Sequence, residues 1–252
     1  MSHSHIVKSF DEELNRLRQT VAQLGGAAEA QLQAAIEALM RRDALRAAEI
    51  VREDKRLDEM EHQVTQQAIR LLALRQPMAL DLREVVGALK ISSDLERIGD
   101  YAANVAKRAI ALTQMPPVRP AHAIPRMGQL VQQIIKDVLD AYVARDAPKA
   151  VAAWRRDEEV DEMYNSLFRE LLTYMMEDPR NIGPCAHLLF IAKNIERIGD
   201  HATNVAETVY FLVHGRELEA KRPKGDTTSF TLPGPVENGK GEGGEGEETR
   251  QP

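Results

Sequence analysis

Glu96-Arg97-Ile98-Gly99-Asp100 recurs 100 residues later as Glu196-Arg197-Ile198-Gly199-Asp200. The match runs on, with Ala102, Asn104, Val105 and Ala106 answered by Ala202, Asn204, Val205 and Ala206. A second match lies upstream. Asp43-Ala44, Arg52, Asp54 and Asp58-Glu59-Met60 align with Asp146-Ala147, Arg155, Asp157 and Asp161-Glu162-Met163, here 103 residues apart. The three-residue difference falls in the connection before the third helix of a unit. A chain built this way folds as two copies of one unit, so each element must have a counterpart.

Those elements read as helices. Aromatic residues are only 4% of the chain while Ala, Leu, Glu and Arg abound, which favours helix over sheet. No window shows the two-residue alternation of a half-buried strand. The first helix spans 5–41, with a loosening at Gly25-Gly26. The second spans 43–75, opened by Asp43 as N-cap and stopped by Gln76-Pro77. The third spans 80–113 and ends before Pro116-Pro117. A proline-rich linker, 115–125, leads to helix 125–146. Ala147-Pro148 then starts a helix that runs to Glu177-Asp178-Pro179. The last helix, 184–214, has Gly215 just past its end. Three amphipathic helices with short connections make an antiparallel bundle. The expected fold is therefore all-α: two homologous antiparallel three-helix bundles, 1–113 and 125–215. Helix 80–113 alone is about 50 Å long, so the molecule should be elongated. From Lys221 the sequence turns Gly-, Glu- and Pro-rich, and 216–252 reads as a disordered tail.

Several functions drop out. One cysteine, Cys185, leaves no disulfide framework and no multi-cysteine zinc or iron–sulfur site. A net charge of −6 with few, dispersed aromatics is a poor nucleic-acid binder. No run of about 18 apolar residues is present to span a membrane. The start, MSHSHIVKSFDEELNRL, lacks the basic and apolar regions of a signal peptide, so the expected location is the cytoplasm. No glycine-rich phosphate loop, nucleophile elbow or dinucleotide fingerprint occurs. Cys185-Ala186-His187 reads as packing at a helix start.

Each copy carries two acid-x-x-x-acid pairs: Asp54/Asp58 and Glu96/Asp100, then Asp157/Asp161 and Glu196/Asp200. This spacing stacks two carboxylates on one helix face, where like charges cost about 0.2–0.5 kcal/mol per pair. An isolated pair is ordinarily just a solvated face, and Arg52, Lys55, Arg97 and Arg197 can offset it. Four pairs in matching places argue for a bound cation, because hard metal ions take carboxylate oxygens. Magnesium, manganese, iron or calcium would suit oxygen ligands, and an added histidine would favour iron or zinc.

A helical wheel places Ile91, Leu95, Ile98, Ala102, Val105 and Ala109 on one side and Glu96 and Asp100 on the other. The acids are thus expected outside the bundle core, in an open surface site between helices. A buried di-iron centre of the ferritin type needs a repeated Glu-x-x-His. Glu59 and His62 supply it once, but the second copy has Glu162 and Asn165. Gly99 and Gly199 lie inside helices at a cost of about 1 kcal/mol against Ala, which suggests close approach of a neighbouring backbone. Asn104 and Asn204 lie one turn beyond the acids as possible ligands or exposed amides. His62 and His201 lie beside the acid pairs, His122 in the linker, His214 near a helix end, and His3 and His5 at a frayed terminus.

Two copies of Glu-Arg-Ile-Gly-Asp-x-Ala-x-Asn-Val, each preceded by an Asp-x-x-x-Asp helix, resemble the PhoU family of bacterial phosphate-transport accessory proteins. Leu17 to Gly26, Arg75 to Arg83 and Leu172 to Ile182 are similar to it as well. The resemblance covers residues 5–215 and implies two three-helix bundles that commonly dimerise. It implies a negative regulator of phosphate uptake and of the phosphate-starvation regulon, not an enzyme. Its implied partners are the ATPase subunit of a phosphate ABC transporter and a phosphate-sensing histidine kinase. Some relatives bind iron or zinc clusters at E/D-x-x-x-D motifs, which carries over to Asp54, Asp58, Glu96, Asp100, Asp157, Asp161, Glu196 and Asp200. The rival reading is a metal-dependent phosphate-ester hydrolase, with two metals clamping a displacement at phosphorus.

Overall fold

The chain is described here from a computed structural model covering residues 2–219, with side chains from Phe10 onward except Pro120. The expected features of the tail beyond 219 and of the His3 and His5 side chains lie outside the described residues. The first copy comprises α1 (Ser2–Arg41), α2 (Ala44–Glu53), α3 (Lys55–Arg75) and α4 (Leu80–Thr113). The second comprises α5 (Ala123–Ala144), α6 (Ala147–Arg155), α7 (Asp157–Glu177) and α8 (Ile182–His214). Single 3₁₀ turns, Arg119–His122 and Pro179–Asn181, precede α5 and α8. The described residues contain no strand.

The middle helix of each copy departs from expectation, because it is broken into two. At Asp54 the backbone N–H still bonds the Ile50 carbonyl at 3.2 Å, but the Leu57 N–H tightens onto the Asp54 carbonyl at 2.8 Å. At Arg156 the same tightening joins Arg156 N–H to the Ala153 carbonyl and Glu159 N–H to the Arg156 carbonyl, both at 3.1 Å. The three-residue hydrogen bonds bend each rod without stopping it. Neither site carries Gly or Pro, so the sequence offers no punctuation there. Counting each bent rod as one element leaves three helices per copy. The expected loosening at Gly25-Gly26 is absent, since α1 runs through it.

The helix ends have local causes. Asp43 Oδ1 accepts the Arg46 N–H, and Asp146 Oδ1 accepts the Lys149 N–H, both at 2.9 Å. Each Asp caps a helix N-terminus and satisfies one of its orphan donors. The preceding arginines, Arg42 and Arg145, are both left-handed, with φ of 54° and 55°, and this reverses the chain between antiparallel helices. The Arg42 guanidinium also donates to the carbonyls of Leu112, Thr113 and Met115, at 2.8, 3.0 and 2.6 Å. It thereby caps the far end of α4. Asp43→Ala or Asp146→Ala should each lower unfolding free energy by about 1 kcal/mol. Urea titration would register the loss as a lower midpoint at unchanged slope.

Packing follows the duplication. α1, α4, α5 and α8 form the centre, and the bent rods flank it. α4 and α8 run antiparallel. Gly87 near the start of α4 lies against Leu212 near the end of α8. Arg108 near the end of α4 stacks over the Phe190 ring near the start of α8, 4.0 Å from its centroid. α1 and α5 meet through reciprocal notches. A Cβ on Gly25 would stand 2.3 Å from Leu139 Cδ2, and one on Gly128 would stand 2.1 Å from Ile36 Cδ1. These pairs correspond under the 103-residue offset, so the seam is two-fold in character. Glu84 on α4 ties the copies together by ion pairs with Arg18 of α1 and Arg145 at the end of α5. Leu218, in the stretch expected to open the tail, packs against the core. No helix among the described residues is long and apolar enough to cross a membrane.

Candidate functional site: two sets of paired carboxylates

The start of α3 and the middle of α4 carry the first set. Asp54 and Glu96 are half-buried, Asp100 is partly exposed and Asp58 is exposed. Burial pushes the Asp54 carboxyl above its usual range, and the charges of Asp100 and Asp58 add to this. Burial likewise raises Glu96, followed by the charges of Asp100, Asp58 and Glu61. The two helices therefore place the predicted carboxylates within range of one another's charge, with Glu61 as an unforeseen neighbour. Arg97, itself largely exposed, bridges Asp100 at 3.0 Å and Glu96 at 3.7 Å.

Gln31 on α1 was not anticipated. Its Nε2 donates to Asp54 Oδ1 at 2.8 Å and to the Gly99 carbonyl at 3.1 Å. It holds the Asp54 carboxylate and opposes the upward shift of its pKa. A signal was present, because Gln31 sits on the apolar face of α1 with Leu24, Ala28 and Ala35. A buried amide needs partners, and this one spans three helices of the first copy.

The second set, from α7 and α8, is not the open surface expected. Asp157, Asp161 and Glu196 are only 2, 4 and 5% exposed, and Asp200 is partly exposed. The wheel placed each acid relative to its own helix's stripe, but α8 has neighbours on several sides. Position 164 is tyrosine where the first copy has Glu61, and position 193 is lysine where the first copy has Ser93. The Lys193 ammonium lies 4.9 Å from the Tyr164 ring centroid and 2.9 Å from Glu196 Oε1. Burial pushes the Glu196 carboxyl up to about 7. The Lys193 hydrogen bond opposes this, and the charges of Asp200 and Asp161 reinforce it.

Gly99 and Gly199 do admit a close neighbour, but it is side chain where backbone was expected. A Cβ at Gly99 would meet Leu57 Cδ2 at 2.3 Å and Asp54 Oδ1 at 3.5 Å, and one at Gly199 would meet Asp157 Oδ1 at 2.9 Å. The glycines thus let the acids of the bent rods close against α4 and α8. His201 serves the contact between copies. Its Nδ1 pairs with Asp94 Oδ1 at 2.8 Å, and Asn204 Nδ2 donates to the same oxygen at 3.1 Å. Asp94 was missed because its aligned residue is Asn194 and its partners lie in the other copy. Asn104 accepts from Lys107, and His62 is exposed beside Gln66. Cys185 is buried, and burial pushes its thiol up.

Carboxylates are the right donors for a hard cation. In their present rotamers, however, no three His, Cys, Asp or Glu side chains among the described residues converge closely enough to hold one. The first holds the exposed Arg97 across Glu96 and Asp100. The second holds an internal ammonium on Glu196.

A duplicated all-helical frame with a carboxylate set in each copy defines a class of helical-bundle protein. The PhoU domain matches residues 21–109 and 124–209, once per copy. The chain is 55% identical over 226 residues to the phosphate-specific transport system accessory protein PhoU homolog of Caulobacter vibrioides, covering 89% of this chain and 98% of that one. It is 50% identical to the homolog of the same description in Rhizobium meliloti, covering 91% and 97%. The crystal structure of PhoU from Pseudomonas aeruginosa superposes with a TM-score of 0.79 at 39% identity, over 82% of this chain and all of that one. The phosphate transport system regulatory protein PhoU from Streptococcus pneumoniae gives 0.78 at 29% identity, over 84% and 100%. The chain belongs to the PhoU family.

Proposed function

We propose that this protein is a cytoplasmic, non-catalytic negative regulator of phosphate uptake and of the phosphate-starvation regulon. It acts as an adaptor, commonly as a homodimer, between the ATPase subunit of the phosphate ABC transporter and its sensor histidine kinase. The observation that carries this reading is the match, over almost nine-tenths of the chain, to accessory proteins of phosphate-specific transport. The carboxylate sets contribute as places where a divalent cation clamps the bent rod to the long helix of the same copy, stiffening a face presented to partners. The first set is the more open of the two, and its carboxylates must reorient from their present rotamers to hold the ion.

Deletion in the native host tests the reading. Phosphate-starvation genes should become constitutive in phosphate-rich medium, and the intact gene should restore repression. Repression that persists without the protein would overturn the proposal. Pull-downs from phosphate-rich and phosphate-starved cells should recover the transporter ATPase and the kinase, more weakly with Glu96/Asp100 and Glu196/Asp200 variants. Turnover of phosphate esters by metal-loaded protein, above that of a Glu96→Ala/Asp100→Ala control, would favour the hydrolase reading instead.

A further inference from the structure

The two copies of the acidic motif differ most in what stands over the long-helix glutamate. In the first copy the aligned residue is Ser93, which is exposed, and the neighbouring rod offers Glu61. In the second copy Lys193 reaches Glu196 Oε1 at 2.9 Å from beside the Tyr164 ring. Arg97 of the first copy is a surface residue with 57% of its side chain exposed, against 30% for Lys193. An exposed arginine is held weakly and exchanges with solvent. The Lys193 ammonium, hydrogen-bonded to a buried glutamate and set beside the Tyr164 ring, is the more firmly placed of the two charges. The second oxygen of Glu196, Oε2, is buried with no hydrogen-bond partner. It belongs to a set whose Asp157 and Asp161 are also buried, and the charges of Asp161 and Asp200 act on it.

We infer that Lys193 is the resident cation of the second set, standing where a divalent metal ion would otherwise be required, so that only the first set is open to metal. The inference rests on the reading that these carboxylate sets hold cations. The ammonium excludes a doubly charged ion by repulsion at short range. Glu196 Oε2 is the coordination position that becomes usable once the ammonium is gone. The duplication has thus divided the work. One copy exchanges its ion with the surroundings, and the other carries its positive charge in the chain.

The test uses full-length protein and Mn²⁺ as the probe. The first set is disabled by Glu96→Gln/Asp100→Asn, and Mn²⁺ uptake is measured by equilibrium dialysis alongside thermal unfolding with and without the ion. With Lys193 present, this background should take up no Mn²⁺ at the second set, and its melting temperature should not respond to the ion. Adding Lys193→Ser, which copies the first repeat, should lower the melting temperature in chelator. It should also create a Mn²⁺ site at least about a hundredfold tighter than before and restore the lost melting temperature when the ion is supplied. Lys193→Met keeps the apolar stem against Tyr164 and gives the same comparison if the serine variant fails to fold. Mn²⁺ binding at the second set with Lys193 in place, or no gain on removing the lysine from a folded chain, overturns the inference. Wild-type protein that binds Mn²⁺ at neither set, while the lysine variants gain a site, overturns only the reading of the first set.

Discussion

A chain with alanine at both Gly25 and Gly128 should lose about 2 kcal/mol of stability, and at most about 4, while alanine at Gly26 alone should add about 1 kcal/mol. Gly25 and Gly26 are adjacent in one continuous helix, so their intrinsic helix propensities are the same. Space separates them. Nothing lies within 4 Å of a Cβ built on Gly26, whereas a Cβ on Gly25 would stand 2.3 and 2.7 Å from the two methyls of Leu139. Its counterpart at Gly128 would stand 2.1 Å from Ile36 Cδ1. Ile36 and Leu139 are themselves buried between α1 and α5, so moving them means repacking the seam. Overpacking of that kind costs about 1–3 kcal/mol per site. It outweighs the helix gain of about 1 kcal/mol that comes with replacing glycine. Urea midpoints of the three proteins, read at constant slope, would measure the contrast. A double variant as stable as Gly26→Ala would mean the notches are not required for the seam.

These notches show how far the sequence could be read. The duplicated pentapeptide placed the repeats, and Asp43 as N-cap together with the proline signals placed several helix boundaries, because capping and proline stops act within a few residues. Gly25 was misread as a weak point, because its reason for being glycine lies on another helix more than 100 residues away. The breaks at Asp54 and Arg156 left no trace for the same reason, since they bend rods that must lie across a neighbour. The eight carboxylates were found from spacing alone, which puts four on neighbouring helices in each copy without making three of them converge. Their exposure could not be found that way. A helical wheel knows only one helix, while the burial of Asp157, Asp161 and Glu196 depends on what α7 and α8 meet. Gln31 was legible in principle as a polar residue on an apolar stripe. Asp94 was not, because its partners His201 and Asn204 are contributed by the other copy.

Glu196→Gln should raise stability by about 2–3 kcal/mol at pH 8 and leave it unchanged near pH 4. Glu196 is 5% exposed and its carboxyl is pushed from an ordinary 4.5 up to about 7. Below pH 4.5 the residue is protonated in both folded and unfolded chains and contributes no difference. As pH rises from there, the unfolded chain gives up its proton first. The folded chain then binds more protons, so stability falls with pH until about 7 and stays at the lower level above it. The interval from 4.5 to about 7 corresponds to about 3 kcal/mol. Glutamine removes that penalty and keeps a carbonyl oxygen for the Lys193 ammonium. For a chain of this size the gain appears as a melting temperature higher by about 5–10 °C. The measurement compares wild type and variant in chelator from pH 4 to pH 8. Asp54 and Glu96 are also raised, but they are present in both proteins and cancel in the difference. A stability difference that stays flat across this range would show that Glu196 ionises like a surface glutamate. A difference that opens between pH 4.5 and 7 would show that the second set keeps a buried acid at the expense of stability. Selection for folding alone would have replaced it with the amide.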